Sequence, residues 1–184
     1  GKASQVLYDR IAELGGKPLM WKTGHSLIKT KMAETGAPLA GEMSGHLFFA
    51  ENFFGHDDAA YAGAKILEIY SRHDGTFSSQ LDDLPEVHST PELRHPSTED
   101  QKFQLCERLR DELATEFEVN AIDGVRVEFD DGWGLARASN TSPKIILRFE
   151  ATSAERLREI RELVEGRLAR IESQIAEAAG AGAN

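Results

Sequence analysis

An α/β layer followed by an α+β domain is the fold this sequence predicts, on three observations. Through residue 73, short apolar strands alternate with helical stripes, the order that builds a layered α/β unit. From residue 74 to 96, Pro85, Pro91 and Pro96 fall among Ser, Thr and Asp, which reads as a linker plus one edge strand. Beyond it, two segments of period-two alternation lie between two helical patterns with cap signals. That order reads as a sheet with helices on one face.

Each element has a local cause. Residues 4–14 place Val6, Leu7, Ile11 and Leu14 on one helical stripe, and Gly15-Gly16 ends it because glycine readily takes the left-handed closing conformation. Leu19, Met20 and Trp21 read as a short buried strand. Residues 26–34 form a second helix, stopped near Gly36 and blocked by Pro38. Leu39-Ala40 and Leu47-Phe48-Phe49 are strands on either side of a glycine-containing turn. Asp57 or Asp58 caps a helix over 59–72, with Ala62, Ile66, Leu67 and Tyr70 inward. Helix–strand alternation of this kind implies a mixed or parallel sheet.

In the second half, Thr98 and Gln101 form a capping box before a helix reaching about Phe117, with Phe103, Cys106, Leu109 and Leu113 as its core stripe. Val125, Val127 and Phe129 alternate with Arg126 and Glu128, a half-buried strand. Asp131-Gly132 turns the chain, and Ile145, Leu147 and Phe149 alternate again. Thr152 with Glu155 caps a long helix carrying Leu157, Ile160, Val164, Leu168 and Ile171. The expected domains are 1–86 and 87–178, with 179–184 a disordered tail lacking core residues.

Composition excludes several classes. A formal net charge of -10 argues against broad nucleic-acid or anionic-membrane binding. No apolar run approaches ~18 residues and no secretory signal opens the chain, so a cytoplasmic location is expected. The single cysteine, Cys106, forms no intramolecular disulfide and sits on an apolar stripe, which makes it inert core.

Two loops carry chemistry. The first is Gly41-Glu42-Met43-Ser44-Gly45-His46. In an extended stretch Glu42, Ser44 and His46 point the same way, and a carboxylate, a hydroxyl and an imidazole together suit a polyol. The bland reading, a polar turn, is favoured on composition alone. The second is Arg137-Ala138-Ser139-Asn140-Thr141-Ser142-Pro143. One guanidinium beside hydroxyls, an amide and free backbone N–H groups is what a phosphate dianion needs. From residue 136 to 147 there is no acidic residue. An ordinary Asn/Ser/Pro turn explains the stretch equally well. His25 lies between a strand and a helix, where α/β sites collect, though such a histidine is more often a helix-start hydrogen-bond partner. Asp57-Asp58 reads as a helix cap and Asp130-Asp131 as a turn. Neither has the further oxygens a magnesium or calcium site takes, so no metal site is read from the spacing.

Together these stretches resemble the α-D-phosphohexomutase superfamily, specifically the bacterial phosphomannomutase/phosphoglucomutase enzymes. The resemblance runs in order through Met20-Trp21-Lys22-Thr23-Gly24-His25-Ser26-Leu27-Ile28-Lys29, Gly41-Glu42-Met43-Ser44-Gly45-His46 with Phe48-Phe49, Phe54-Gly55 and Asp57-Asp58. It continues through Gly124-Val125-Arg126-Val127, Gly132-Trp133-Gly134-Leu135, Arg137-Ala138-Ser139-Asn140-Thr141 and Leu147-Arg148-Phe149-Glu150-Ala151. It covers nearly the whole chain and corresponds to the third and fourth of the family's four domains, the third without its first strand.

The resemblance implies roles. Glu42 and Ser44 contact vicinal sugar hydroxyls, and Arg137, Ser139, Asn140 and Thr141 hold the phosphate remote from the reaction. His46 lies near the transferred phosphoryl, His25 near the sugar, and Lys2 matches a lysine near the active centre. The implied activity interconverts the 1-phosphate and 6-phosphate of mannose or glucose through a sugar 1,6-bisphosphate. The family's phosphoserine loop and its D-G-D-x-D magnesium loop are not found in this sequence. The chain is therefore expected to be inactive alone. Its Mg2+ ligands would lie outside it, and its partners would be a phosphosugar and upstream domains of the same enzyme. A non-catalytic phosphosugar-binding module and a phosphoglucosamine mutase are the alternatives.

Overall fold

Capping chemistry sets most helix starts. In the computed structural model, which describes residues 1–181 with side chains through residue 178, Ser4 Oγ accepts from Val6 N ahead of helix α1 (Gln5–Glu13). Asp58 Oδ1 accepts from Tyr61 N ahead of helix α3 (Ala59–Ser71). Helix α2 (His25–Thr35) has no side-chain cap, and it closes on Gly36 in the left-handed conformation. Contacts divide the chain into one unit from Lys2 to Pro85 and another from Glu86 onward, to which Gly1 also belongs.

In the first unit, strands β1 (Leu39–Gly41), β2 (Leu47–Phe49) and β3 (His56–Asp57) form a three-stranded sheet in sequence order. Both pairings are antiparallel, which corrects the expected mixed or parallel pairing. The reason is connection length. A few residues join β1 to β2, whereas a parallel pair needs a crossover of a dozen or more. Residues 19–21 join no sheet, and Trp21 lies under Lys31 Nζ, 4.2 Å from the ring centroid. The stripes of α1 and α3 exist but stay largely uncovered, although Ala62 of α3 is buried as expected. No residue of α1 is buried, Leu67 of α3 is 67% exposed, and Ile66 and Tyr70 are exposed too. The buried centre comprises Ile28, Met32 and Phe48, with Ala37 and Ala40 against it. A 3-10 turn (Phe77–Leu81) follows α3.

The second unit is a six-stranded antiparallel sheet under two helices. Its strands are β4 (His88–Ser89), β5 (Leu93–Pro96), β6 (Glu118–Asn120), β7 (Val125–Phe129), β8 (Gly132–Ala138) and β9 (Lys144–Ala151). The order is β4-β9-β8-β7-β6, and β5 also pairs with β9. The single edge strand expected between 74 and 96 is thus two short strands on the same neighbour. Helix α4 (Gln101–Leu113) and helix α5 (Ala154–Ala181) bury Leu109, Leu113, Ile160 and Leu168 against Val127, Ile145 and Phe149.

Three local expectations change. Leu105, not Phe103, joins the α4 stripe, since Phe103 is half exposed. Ser153, not Thr152, caps α5 by accepting from Arg156 N. Arg126, expected on a solvated face, is buried because its guanidinium stacks 4.1 Å over Trp133 and its Nε lies 2.9 Å from Glu128. Helix α5 runs three residues into the 179–184 tail, and 182–184 lie outside the described residues. Among the described residues no helix is long and apolar enough to cross a membrane.

Candidate functional site

The β1–β2 connection is a turn, not an extended stretch. Glu42 O accepts from Gly45 N at 2.9 Å, Glu42 N donates to His46 O at 2.9 Å, and Gly45 has a φ of 92°. The alternation expected of Glu42, Ser44 and His46 therefore does not apply, because closing a short hairpin demands a reversal. The turn still brings chemistry together. Gly24 N donates to Glu42 Oε1 at 2.9 Å, and the Glu42 side chain is only 9% exposed. Gly24 has a φ of 136°, which favours glycine, and it starts α2 with His25 as the next residue. His25 Nε2 lies 3.9 Å from Glu42 Oε2 and 3.6 Å from Asp57 Oδ2.

His46 Nδ1 and Asp57 Oδ2 are 2.6 Å apart. An ionised carboxylate only accepts, so Nδ1 donates and Nε2 is left to hold or take a proton. The His25 and His46 rings meet edge to face at 4.5 Å, and His25 also meets the buried Phe48 ring at 5.3 Å. The pairing Phe48↔Asp57 fixes Asp57 in register with β2, one step from the turn that carries His46. Glu42, His25 and His46 thus converge. Ser44 is exposed at the tip of the turn, and Lys2 lies in the irregular stretch ahead of α1.

Asp57 is the residue that the sequence reading missed. The sequence offers Asp57 or Asp58 as the cap; Asp58 alone caps α3, and Asp57 turns to His46. The available signal was the redundancy, since one helix start needs one capping carboxylate.

In the second unit, β8 delivers Arg137 to the start of the β8–β9 loop. Its side chain is 14% exposed, its Nε is buried without a hydrogen-bond partner, and its guanidinium lies 3.6 Å from Asp123 Oδ2. Gly124 allows that approach. A Cβ there would meet Ala136 O at 2.6 Å, so only glycine lets the β6–β7 turn lie this close to β8. The loop is braced internally. Ser139 Oγ lies 2.9 Å from Ser142 Oγ and accepts from Thr141 N at 3.3 Å, while Ser139 N donates to Lys144 O at 2.9 Å. Ser139 is buried, whereas Asn140 and Thr141 are exposed.

Lys102, buried on the first turn of α4, donates from Nζ to Ser142 O at 3.2 Å and pairs with Glu99 at 2.6 Å. It braces the loop from beneath, with its own charge balanced by Glu99, a contribution invisible in the loop's own sequence. A cavity of roughly 230 Å3 is lined by Arg110, Asp123, Arg137, Asn140, Phe103 and Cys106, among others. Burial pushes the Cys106 thiol up to about 11, which keeps it protonated and inert there.

Comparisons with known proteins match both units. Residues 2–88 match the family described as phosphoglucomutase/phosphomannomutase, alpha/beta/alpha domain III. Residues 92–178 match phosphoglucomutase/phosphomannomutase, C-terminal domain. A phosphomannomutase/phosphoglucomutase of Pseudomonas aeruginosa is 47% identical over 175 residues, covering 95% of this chain and 38% of that protein. A phosphoglucomutase of Neisseria gonorrhoeae is 52% identical over 153 residues, covering 82% of this chain and 33% of that protein. A crystal structure of a phosphoglucomutase/phosphomannomutase family protein from Burkholderia thailandensis matches with a TM-score of 0.83 at 47% identity, covering 93% of this chain and 36% of that one. The chain spans about 38% of the length of the Pseudomonas relative.

Proposed function

Because the chain belongs to the phosphoglucomutase/phosphomannomutase family, we propose that it is the sugar- and phosphate-holding part of a cytoplasmic phosphohexomutase. The enzyme interconverts the 1-phosphate and 6-phosphate of mannose or glucose through a sugar 1,6-bisphosphate. Glu42 and Ser44 accept from and donate to sugar hydroxyls. His46, oriented by Asp57, moves the proton of the reacting hydroxyl at Nε2, with His25 beside it. Lys2 adds a positive charge near the transferred phosphoryl. Arg137, Ser139, Asn140 and Thr141 bind the phosphate that does not react.

One observation carries the binding half of this reading. Arg137 holds a buried Nε with no partner, at the start of a loop whose polar residues Asn140 and Thr141 are exposed. An orphaned buried guanidinium N–H is costly, and a bound phosphate oxygen removes that cost. Magnesium is assigned elsewhere. Among the described residues, the group gathered closely enough for one ion is His25, His46 and Asp57, whose two imidazoles do not suit an ion that takes oxygen ligands. The phosphoserine and the magnesium loop are proposed to come from other domains of the same enzyme, so this chain alone does not turn over.

The test is an amide NMR titration of the chain with mannose 1-phosphate, using inorganic phosphate as control. Sugar-specific shifts at 42–46, together with shifts at 137–141, are expected. Shifts at 137–141 that are the same with either ligand, and none at 42–46, would overturn the sugar-binding assignment. No shift at 137–141 with either ligand would overturn the phosphate assignment.

A further inference from the structure

We propose that His25, His46 and Asp57 form a binding site for a late first-row divalent cation of the Zn2+ class, separate from any magnesium the reaction uses. The three donor atoms all lie within 4.8 Å of one another. His46 Nδ1 and Asp57 Oδ2 are 2.6 Å apart, and His25 Nε2 is 3.6 Å from the same oxygen. A tetrahedral ion with bonds of about 2.0–2.1 Å to nitrogen and oxygen sets its ligand atoms roughly 3.3–3.5 Å apart. Spreading the first pair by less than about 1 Å and drawing His25 slightly closer brings both histidines to that spacing from Asp57.

The surroundings fit an exchangeable ion. His25 and His46 side chains are 49% and 43% exposed, so the ion has a path in from water. Two rigid features hold the ligands: Asp57 is registered against Phe48 by strand pairing, and His25 starts α2 directly after Gly24. Glu42 supplies an outer carboxylate, with Oε2 3.9 Å from His25 Nε2 and Oε1 held by Gly24 N. Two imidazoles and one carboxylate select zinc or cobalt over magnesium or calcium, and the remaining coordination position is left for water.

Occupancy has a consequence for the reaction proposed above. The ion takes Nδ1 of His46 and Oδ2 of Asp57, the two atoms that otherwise share a hydrogen bond. It swings the ring away from the orientation Asp57 imposes, so zinc inhibits wherever His46 acts on substrate. Binding itself does not depend on the mutase reading.

The experiment titrates the chain with Co2+ at fixed pH and follows the visible d–d absorption, then displaces Co2+ with Zn2+. One equivalent is expected, with a dissociation constant of about 10 µM or tighter, and His25→Asn and Asp57→Asn are each expected to weaken it by roughly tenfold or more. Millimolar Mg2+ is expected not to compete. Imidazole-selective 15N spectra of the unmodified chain, recorded with Zn2+, keep the test independent of variant folding, and shifts confined to His25 and His46 are expected. Absence of Co2+ bands, or zinc shifts at His88 or His95 in place of His25 and His46, would overturn the proposal. Either result leaves the phosphosugar titration untouched.

Discussion

The two units of this chain spend their apolar residues differently. The second buries whole faces: Leu109, Leu113, Val127, Ile145 and Phe149 are fully buried. The first leaves Leu7, Leu14, Ile66, Leu67 and Tyr70 exposed and encloses little beyond Ile28, Met32 and Phe48. Both have well-formed, capped helices. Local signals therefore determine that a helix forms, while burial of its stripe depends on what the fold packs against it. The chemistry divides in the same way. The second unit's anion loop is anchored on a packed sheet, whereas the first unit's histidines come from the start of α2 and from the turn of a three-stranded sheet with a thin centre.

The sharpest probe of that contrast is Cys106, because the chain has one cysteine and it lies in the second unit. Burial raises its thiol to about 11. Alkylation of the native chain by iodoacetamide at pH 8 is expected to be slower than that of the urea-unfolded chain by roughly a hundredfold or more, since the thiolate fraction falls by that factor before access is counted. Equal rates would mean that the second unit's packing does not protect Cys106 at all. The sign in pH follows. An unfolded thiol ionises near its ordinary value while the folded one stays protonated, so this contribution to stability is whole below about pH 8.5 and is lost as pH rises toward 11.

A matched pair of truncations comes next. Leu109→Ala removes a fully buried side chain between helix and sheet and should cost about 3 kcal/mol. Leu67→Ala removes a side chain that is 67% exposed and should stay within about 0.5 kcal/mol. Urea unfolding of the chain, followed by fluorescence and by amide NMR of each unit, checks both. Comparable losses would show that the first unit's exposed face is covered in solution.

Binding should show the contrast at smaller scale. Arg137→Ala is expected to weaken phosphate binding by roughly 10–100-fold, the range for losing charge-assisted hydrogen bonds. In the complete enzyme it should raise KM more than it lowers kcat, because the proposed phosphate contact is present in ground and transition states alike. Steady-state kinetics of the full-length variant reads the split, and a loss confined to kcat would contradict a distal-phosphate role.

How legible was all this? The α4 and α5 helices and the β7 and β9 strands were visible, because each is a local periodic pattern, although Leu105 replaces Phe103 on the α4 stripe and Arg126 of β7 is buried. Asp57 was not. Its partner is eleven residues away and reaches it only through the β2–β3 pairing. Lys102 escaped for a similar reason, since nothing in an amphipathic helix says that its lysine tucks under a loop forty residues later. Glu42 and His46 were singled out by their spacing and by the family resemblance, yet a turn, not the alternation used to pair them, brings them to His25. Short-range rules gave the elements; the site needed pairings between elements that are far apart in the chain.

The smallest effect expected tests whether the packed unit owes anything to its surface charges. Arg167 on α5 donates from Nη1 to Glu116 Oε1 at 3.1 Å and from Nη2 to Glu116 Oε2 at 2.8 Å, tying the long helix to the segment after α4. The Arg167 hydrogen bond holds the Glu116 carboxyl below its ordinary value. A carboxyl lowered in the folded state binds its proton more readily when unfolded. Its contribution is therefore present above the ordinary carboxylate range and is lost as pH falls through it. Glu116 is exposed, so solvent screens the pair and little stability is at stake. Glu116→Gln should lower the melting temperature near neutral pH by no more than about 1–2 °C, and the two curves should converge once pH has fallen below the ordinary carboxylate range. Differential scanning calorimetry across pH reads both features. A larger drop at neutral pH would mean that the clamp, and not the apolar interface beneath it, seats α5 on the sheet. A gap that persisted at low pH would trace the effect to altered packing and not to charge.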